Sequence, residues 1–367
     1  MVRLTRAQQQ ERTRAAVLVA AAAEFAAHGF AAAKVDQIAE RAELTRGAVY
    51  SNFPSKRALY LALLVETVER EAVADLPAAS PRTTADALGS FARVWLERLP
   101  LVGDTETQVH PRSLAAVVDD AASRMALARV AGLEVLLLAL ALESCAPPDA
   151  EPMRQVRRAD LVLRLLNGSG PLADPVLGSD PFDVAAACRH LGGLDLADVW
   201  DPPHLPYIAA ALPCRKPWVP PAELPDLITG RGVGFEEDGV IAVLGTHRLD
   251  AAEEIVRAAR PGEQVTVAVV TSDPAEIGRL IRLRIGDFAR CLRRVFAPDD
   301  APQLRLVLDD SAQLASAVTA AGADDATEHA VRIHQGEVVA RAQGRGAAHA
   351  AAAVDAAAIV RPPGGAP

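Results

Sequence analysis

The sequence predicts a multidomain protein: an all-α first part, made of a helix-turn-helix and a helical regulatory domain, followed by an α/β domain. Three observations carry this. Apolar residues recur at helical spacing across residues 33–60, a Pro-rich stretch interrupts the chain at 201–226, and beyond it short β-branched runs alternate with helical segments. At 367 residues the chain has room for two or three domains, each with a sizeable core.

The first helix spans residues 14–28, with Leu18, Ala21, Ala22 and Phe25 on one face, Gly29 as a left-handed stop and Phe30 folding back. Val35, Ile38, Ala39 and Ala42 then recur at i, i+3, i+4 and i+7 and define a second helix. Thr45 stands at an N-cap position, so a third helix starts at Arg46. It must be short, because Pro54 disfavours helical geometry at Phe53 and removes a backbone donor. Ser55 caps a fourth helix whose Leu59, Leu63 and Leu64 face the core. A short helix at 46–52 held between packed neighbours is a helix-turn-helix with its recognition helix identified. Residues early in such a helix point into the major groove, so Arg46, Ser51 and Asn52 are expected to face bases, and Thr45, Tyr50 and Lys56 to hold phosphates. Lys34, Gly47 and Ala48 complete the expected DNA-binding set.

Residues 10–65 resemble the TetR family of bacterial transcriptional regulators. The segment IAERAELTRGAVYSNFPSK carries the family motif, with Ile38, Ala39, Ala42, Gly47, Tyr50, Phe53, Ser55 and Lys56 in register. Two positions depart from it: Glu43 stands for the usual turn glycine, and Ala33-Lys34 for the hydroxyl residue that caps the second helix. The resemblance implies a helical effector-binding and dimerisation domain, a homodimer on a palindromic double-stranded DNA operator, and repression relieved by a small-molecule effector. In that family the last helices pair across a two-fold axis, which makes residues 152–167 and 182–199 the pairing candidates. Two recognition helices must also meet successive major grooves about 34–36 Å apart, a physical motive for a dimer.

Charge agrees with this division. The first sixty residues hold nine bases against five acids, a net of +4, which leaves −13 for the rest of the −9 chain. From 83 to about 201 the pattern is helical: Leu88, Phe91, Val94 and Trp95 share a face, 115–142 is rich in helix formers, and 161–166 and 184–191 supply further stripes. The apolar run 135–142 has buried-helix length, no run is long enough to span a membrane, and the polar opening reads as no secretory signal, so a cytoplasmic protein without membrane contact is expected. Cys145, Cys188, Cys214 and Cys291 form no CxxC or Cys/His cluster, so neither metal nor disulfides are expected.

Beyond the Pro-rich stretch, strands are expected at 240–244, 265–270, 304–308, 331–333 and 338–340. Helices are expected at 251–259, 275–295, 312–321 and 347–358, with a hairpin turn at 334–337. This order resembles a thioredoxin fold. Where the resemblance places the redox dithiol the chain has Thr271-Ser272-Asp273-Pro274, and the proline that precedes the late hairpin is missing. Thiol-disulfide exchange needs a thiolate, so the domain is expected to be redox-dead. The glycines of RGVGFEEDG do not sit between a strand and a helix and make no dinucleotide fingerprint.

The expected layout is therefore a DNA-binding domain at 1–65, an effector and dimerisation domain at 66–200, a linker at 201–235, a thioredoxin-like accessory domain at 236–360 and a disordered tail at 361–367. No catalytic, metal-binding or cofactor residues are expected, and no effector-binding residues are nominated. The alternative is a redox-responsive regulator or enzyme that uses the last domain.

Overall fold

The computed structural model describes residues 5–71, 80–97, 114, 117–145, 153–168, 180–297, 304–319 and 322–355. The helix-turn-helix module is α1 (Arg6–Ala32), α2 (Val35–Arg41), α3 (Arg46–Asn52) and α4 (Lys56–Glu71). Helix α1 starts well before residue 14, because Thr5 and Gln8 form a reciprocal capping box there. Gly29 breaks it as expected with φ 68°, and Phe30 returns onto Phe25 and Tyr60. Val17, Phe25, Ile38, Val49, Phe53, Leu59 and Leu64 make this module's core.

The middle domain holds α5 (Thr84–Glu97), α6 (Ala121–Glu143), α7 (Val156–Gly168) and α8 (Pro181–Leu191). Helix α8 stops at Leu191, short of 199, where Gly192 and Gly193 turn back onto the carbonyls of Arg189 and His190. Both α1 and α6 are long and apolar enough to cross a membrane by length and composition, because alanines extend their apolar stretches past the charges. In α6 that surface is core: Leu133, Leu136, Leu137 and Leu138 are buried against the neighbouring helices.

The last domain follows the order read from the sequence. It runs β4 (Gly239–Gly245), α9 (Ala251–Ala258), β5 (Gln264–Val270), α10 (Arg279–Arg293) and β6 (Leu304–Leu308). Then come α11 (Gln313–Val318), β7 (Glu328–His334), β8 (Glu337–Gln343) and α12 (Ala347–Ala352). A π-helical turn, Pro274–Gly278, leads into α10. Strand β4 lies centrally, parallel to β5 and antiparallel to β7, in a mixed sheet. Its residues alternate between two cores: Val240, Ala242 and Leu244 face one side, Ile241 and Val243 the other. Gln335 and Gly336, both at positive φ, form the two-residue hairpin turn. Residues 356–367, including the expected tail, lie outside the described residues.

The Pro-rich segment does more than link. After a turn at Leu205–Tyr207, β1 (Leu212–Pro217) adds to the sheet antiparallel to β8, and β2 (Leu224–Pro225) pairs with β3 (Gly232–Val233). Pro213 and Pro217 suit β1 because it is an edge strand. Trp218 is buried with its indole N–H donated to the Phe235 carbonyl at 2.6 Å. Upstream, Asp198 chelates Arg257 at 2.6 and 2.8 Å, and His204 meets Glu254 at 2.9 Å.

Helix α10 joins all three parts. Ile281, Ile285, Phe288 and Leu292 enter the main core, where the Phe288 ring lies 5.7 Å from Phe91 and 6.0 Å from Trp95 of α5. Leu280 and Leu283 enter the core of the helix-turn-helix module instead. Arg284 reaches across to the buried Glu134 of α6 at 2.7 and 3.0 Å. The α/β domain is thus packed against the helix-turn-helix module.

Candidate DNA interface

The turn between α2 and α3 accommodates one departure from the family motif, and the junction of α1 and α2 the other. Glu43 adopts φ 55°, the left-handed conformation a glycine would take at lower cost, and the Leu44 N–H donates to the Ala39 carbonyl at 2.9 Å. Lys34 stands at the N-cap of α2 without a side-chain cap. The buried Glu24 of α1 takes up its backbone N–H at 3.3 Å, so a long-range carboxylate replaces part of the missing local hydroxyl.

Helix α3 begins where the sequence places it. The Thr45 hydroxyl accepts from the Ala48 N–H at 3.2 Å, and Phe53 closes the helix in an extended conformation, as the following Pro54 requires. Val49 is its one buried residue. Thr45, Arg46, Gly47, Tyr50 and Ser51 are exposed together at its start and outer face, while Ala48 and Asn52 are half-buried. A Cβ at Gly47 would meet only the Thr45 hydroxyl, at 3.8 Å, so the glycine leaves open space at the start of the helix.

The polar groups differ in how firmly they are held. Arg46 lies 5.5 Å from the centre of the Tyr50 ring and pairs with Asp36 at 3.3 Å; the Tyr50 hydroxyl first, then Asp36, raises the guanidinium above its ordinary value. Both partners of that ion pair are well exposed, so giving it up costs little and the guanidinium can turn to another acceptor. Ser51 and the Asn52 amide each donate to the Ala48 carbonyl at 2.9 Å. Lys56 points to the end of α1, donating to the carbonyls of Ala31 and Ala33 at 3.1 and 3.2 Å with its ammonium 4.8 Å from the Phe30 ring centre. Lys34 is exposed at the start of α2.

Sequence reasoning missed the groups behind α3. Arg14 of α1 and Arg279 of α10 lie 4.9 and 5.5 Å from the centre of the buried Phe53 ring. Ser55 donates to Glu276 of the π-helical turn, and Arg57 pairs with Glu276 at 3.3 Å and Asp120 at 2.5 Å. Bonds from Ser123, then Arg57, hold the Asp120 carboxyl well below its usual range. No local pattern signals these contacts, since their partners lie about 40 to 225 residues away.

Compared with protein families, residues 17–63 match bacterial regulatory proteins, tetR family. No curated protein matches the chain. Solved structures similar to it include SCO4942 from Streptomyces coelicolor, at 25% identity over 48% of this chain and 94% of that one, with a TM-score of 0.28. A TetR transcriptional regulator from Rhodococcus sp. RHA1 is 18% identical over 50% and 94%, TM-score 0.28. NalD, the secondary repressor of the MexAB-OprM multidrug efflux pump in Pseudomonas aeruginosa, is 23% identical over 49% and 94%, TM-score 0.29.

Proposed function

We propose, from the match of residues 17–63 to the tetR family of bacterial regulatory proteins, that the protein is a sequence-specific transcriptional regulator, a homodimeric repressor on a palindromic operator that a small molecule releases. The observation that carries the reading is the recognition helix, which buries Val49 and leaves Thr45, Arg46, Gly47, Tyr50 and Ser51 open to a groove. Arg46 is the base reader, with the planar donors that suit a guanine edge. Thr45 and Tyr50 flank it on the phosphates, and Lys34, Ala48, Ser51, Asn52 and Lys56 complete the surface. Lys56 contacts phosphate only by giving up part of its hold on the end of α1.

Pairing through α7 and α8 is supported by their exposed apolar residues Leu161, Leu165 and Phe182. The α/β domain, thioredoxin-like in its element order, serves as a non-enzymatic accessory in a cytoplasmic protein. The buried Cys188 thiol is pushed up to about 11 by burial, which leaves little thiolate at that residue.

Binding titrations on selected and random duplexes, with light scattering of the full chain, test the proposal. A dimer that binds one palindrome is expected, and Arg46→Ala should cost about 1 to 3 kcal/mol on the selected duplex and blur its preference. A monomer, or equal affinity of wild type and variant for both duplexes, overturns the proposal.

A further inference from the structure

A cavity of about 560 Å³ opens between the DNA-binding module and the α/β domain, walled by α1, α4, the π-helical turn, α10 and the start of the β6–α11 connection. Arg14 and Arg279 both line it, and both rest on the Phe53 ring. Neither has a carboxylate within ion-pair distance among the described residues; Arg279 donates to the carbonyls of Ala58 and Ala275 at 3.0 and 2.9 Å. Burial, then the like charge of Arg14, holds Arg279 below its ordinary value. The two guanidinium groups repel each other, Asp310 and Asp273 offset part of that repulsion at Arg279 without pairing with it, and an anion between the two would relieve the rest. The third arginine of the cavity, Arg282, is already matched by Asp310 at 3.4 Å and Glu69 at 3.8 Å.

We infer that this cavity binds a small organic or inorganic oxyanion, a carboxylate or phosphate held between Arg14 and Arg279. The guanidinium fork suits both groups because each offers two oxygens to parallel N–H donors. Leu18, Ala62 and Val65 supply an apolar wall for a short hydrocarbon body. Glu11, Glu66, Glu69 and Asp310 also line the cavity, four carboxylates against three guanidinium groups, so their charge works against a highly charged polyanion. The site is distinct from the DNA-facing surface of α3. Both guanidinium groups also lie over the ring of Phe53, the residue that closes the recognition helix, so an anion that draws Arg14 and Arg279 off the ring acts at the base of that helix. This last consequence rests on the DNA-binding reading; anion binding does not.

Calorimetric titration of the DNA-free full chain with butyrate and, separately, inorganic phosphate, at constant ionic strength, tests the inference and shows which oxyanion the site takes. Wild type should bind at least one with a dissociation constant of about 1 mM or tighter. Arg14→Gln and Arg279→Gln should each weaken that binding by roughly tenfold or more, as expected for loss of a charge-assisted bond. Arg341→Gln, in a different cavity on the sheet edge, should leave it unchanged. If Arg279→Gln does not fold, Arg14→Gln, whose residue sits on the more open wall, decides. Absence of saturable binding to both anions, or unchanged binding in Arg14→Gln, overturns the inference. Because no DNA is present, failure here leaves the regulator reading standing, and loss of operator binding leaves this site standing.

Discussion

Helices α3 and α10 are both amphipathic, yet they stand in opposite relations to the rest of the chain. Helix α3 has seven residues and buries one, so its neighbours hold it and its outer face is free for a partner. Helix α10 has fifteen residues and buries nine, contributing to two cores at once. Changes on α3 should therefore be read in DNA affinity with stability intact, and changes on α10 in the stability of the whole molecule.

The largest expected effect lies on α10. Phe288→Ala removes a buried ring packed on Phe91 and Trp95 and should cost about 3 to 5 kcal/mol in urea unfolding. Because α10 joins both cores, the loss should appear as one shifted transition; a DNA-binding module that unfolds separately and at its old midpoint would break the comparison. Next is the pair across to α6. Glu134→Ala leaves Arg284 without its partner in a largely enclosed site and should cost about 3 kcal/mol by the same measurement. A cost below about 0.5 kcal/mol would mean that the pair behaves as a surface contact.

Lys56 sits between the two kinds of residue. Lys56→Met removes the bonds to Ala31 and Ala33, so about 1 kcal/mol of stability should be lost. If the ammonium also contacts phosphate, the salt dependence of DNA binding should flatten by about one unit. Loss of stability with an unchanged salt slope would make Lys56 a structural residue only.

The smallest effect is confined to acid. In the folded protein Asp120 is held well below its ordinary value of 3.8, so the deprotonated form is favoured by folding. Its contribution is present above that ordinary value and is lost as pH falls toward the lower folded one. The acid limb of a stability–pH profile should therefore be flatter in Asp120→Asn than in wild type. Parallel limbs would show that the junction of α4 and α6 does not depend on this carboxylate.

The same contrast explains what could be read in advance. The ends of α3 were legible because they are set locally, by the Thr45 hydroxyl and by Pro54 acting on Phe53. The early start of α1 is equally local, set by the Thr5 and Gln8 pair upstream of the apolar stripe that marks residues 14–28. The stripe Ile281, Ile285, Phe288 and Leu292 marks α10 as a helix, but nothing in the spacing of Leu280 and Leu283 says that they enter a different core. Strand β1 was hidden by its prolines, which read as linker until β8 offers an edge. At the site, exposure of Arg46 and Tyr50 follows from helical periodicity, whereas the end of α1 as the resting place of the Lys56 ammonium depends on chain segments that meet only in the folded state.

The central claim is that α3 reads DNA sequence and that Arg46 does much of the reading. Selection of binding duplexes from a random pool, run in parallel with wild type and Arg46→Ala, tests it most directly. Wild type should enrich a palindrome whose half-sites are centred about one helical turn apart, and Arg46→Ala should lose preference at a symmetric pair of positions while keeping the others. Enrichment of no sequence by wild type, or of the same sequence to the same degree by both proteins, would contradict it.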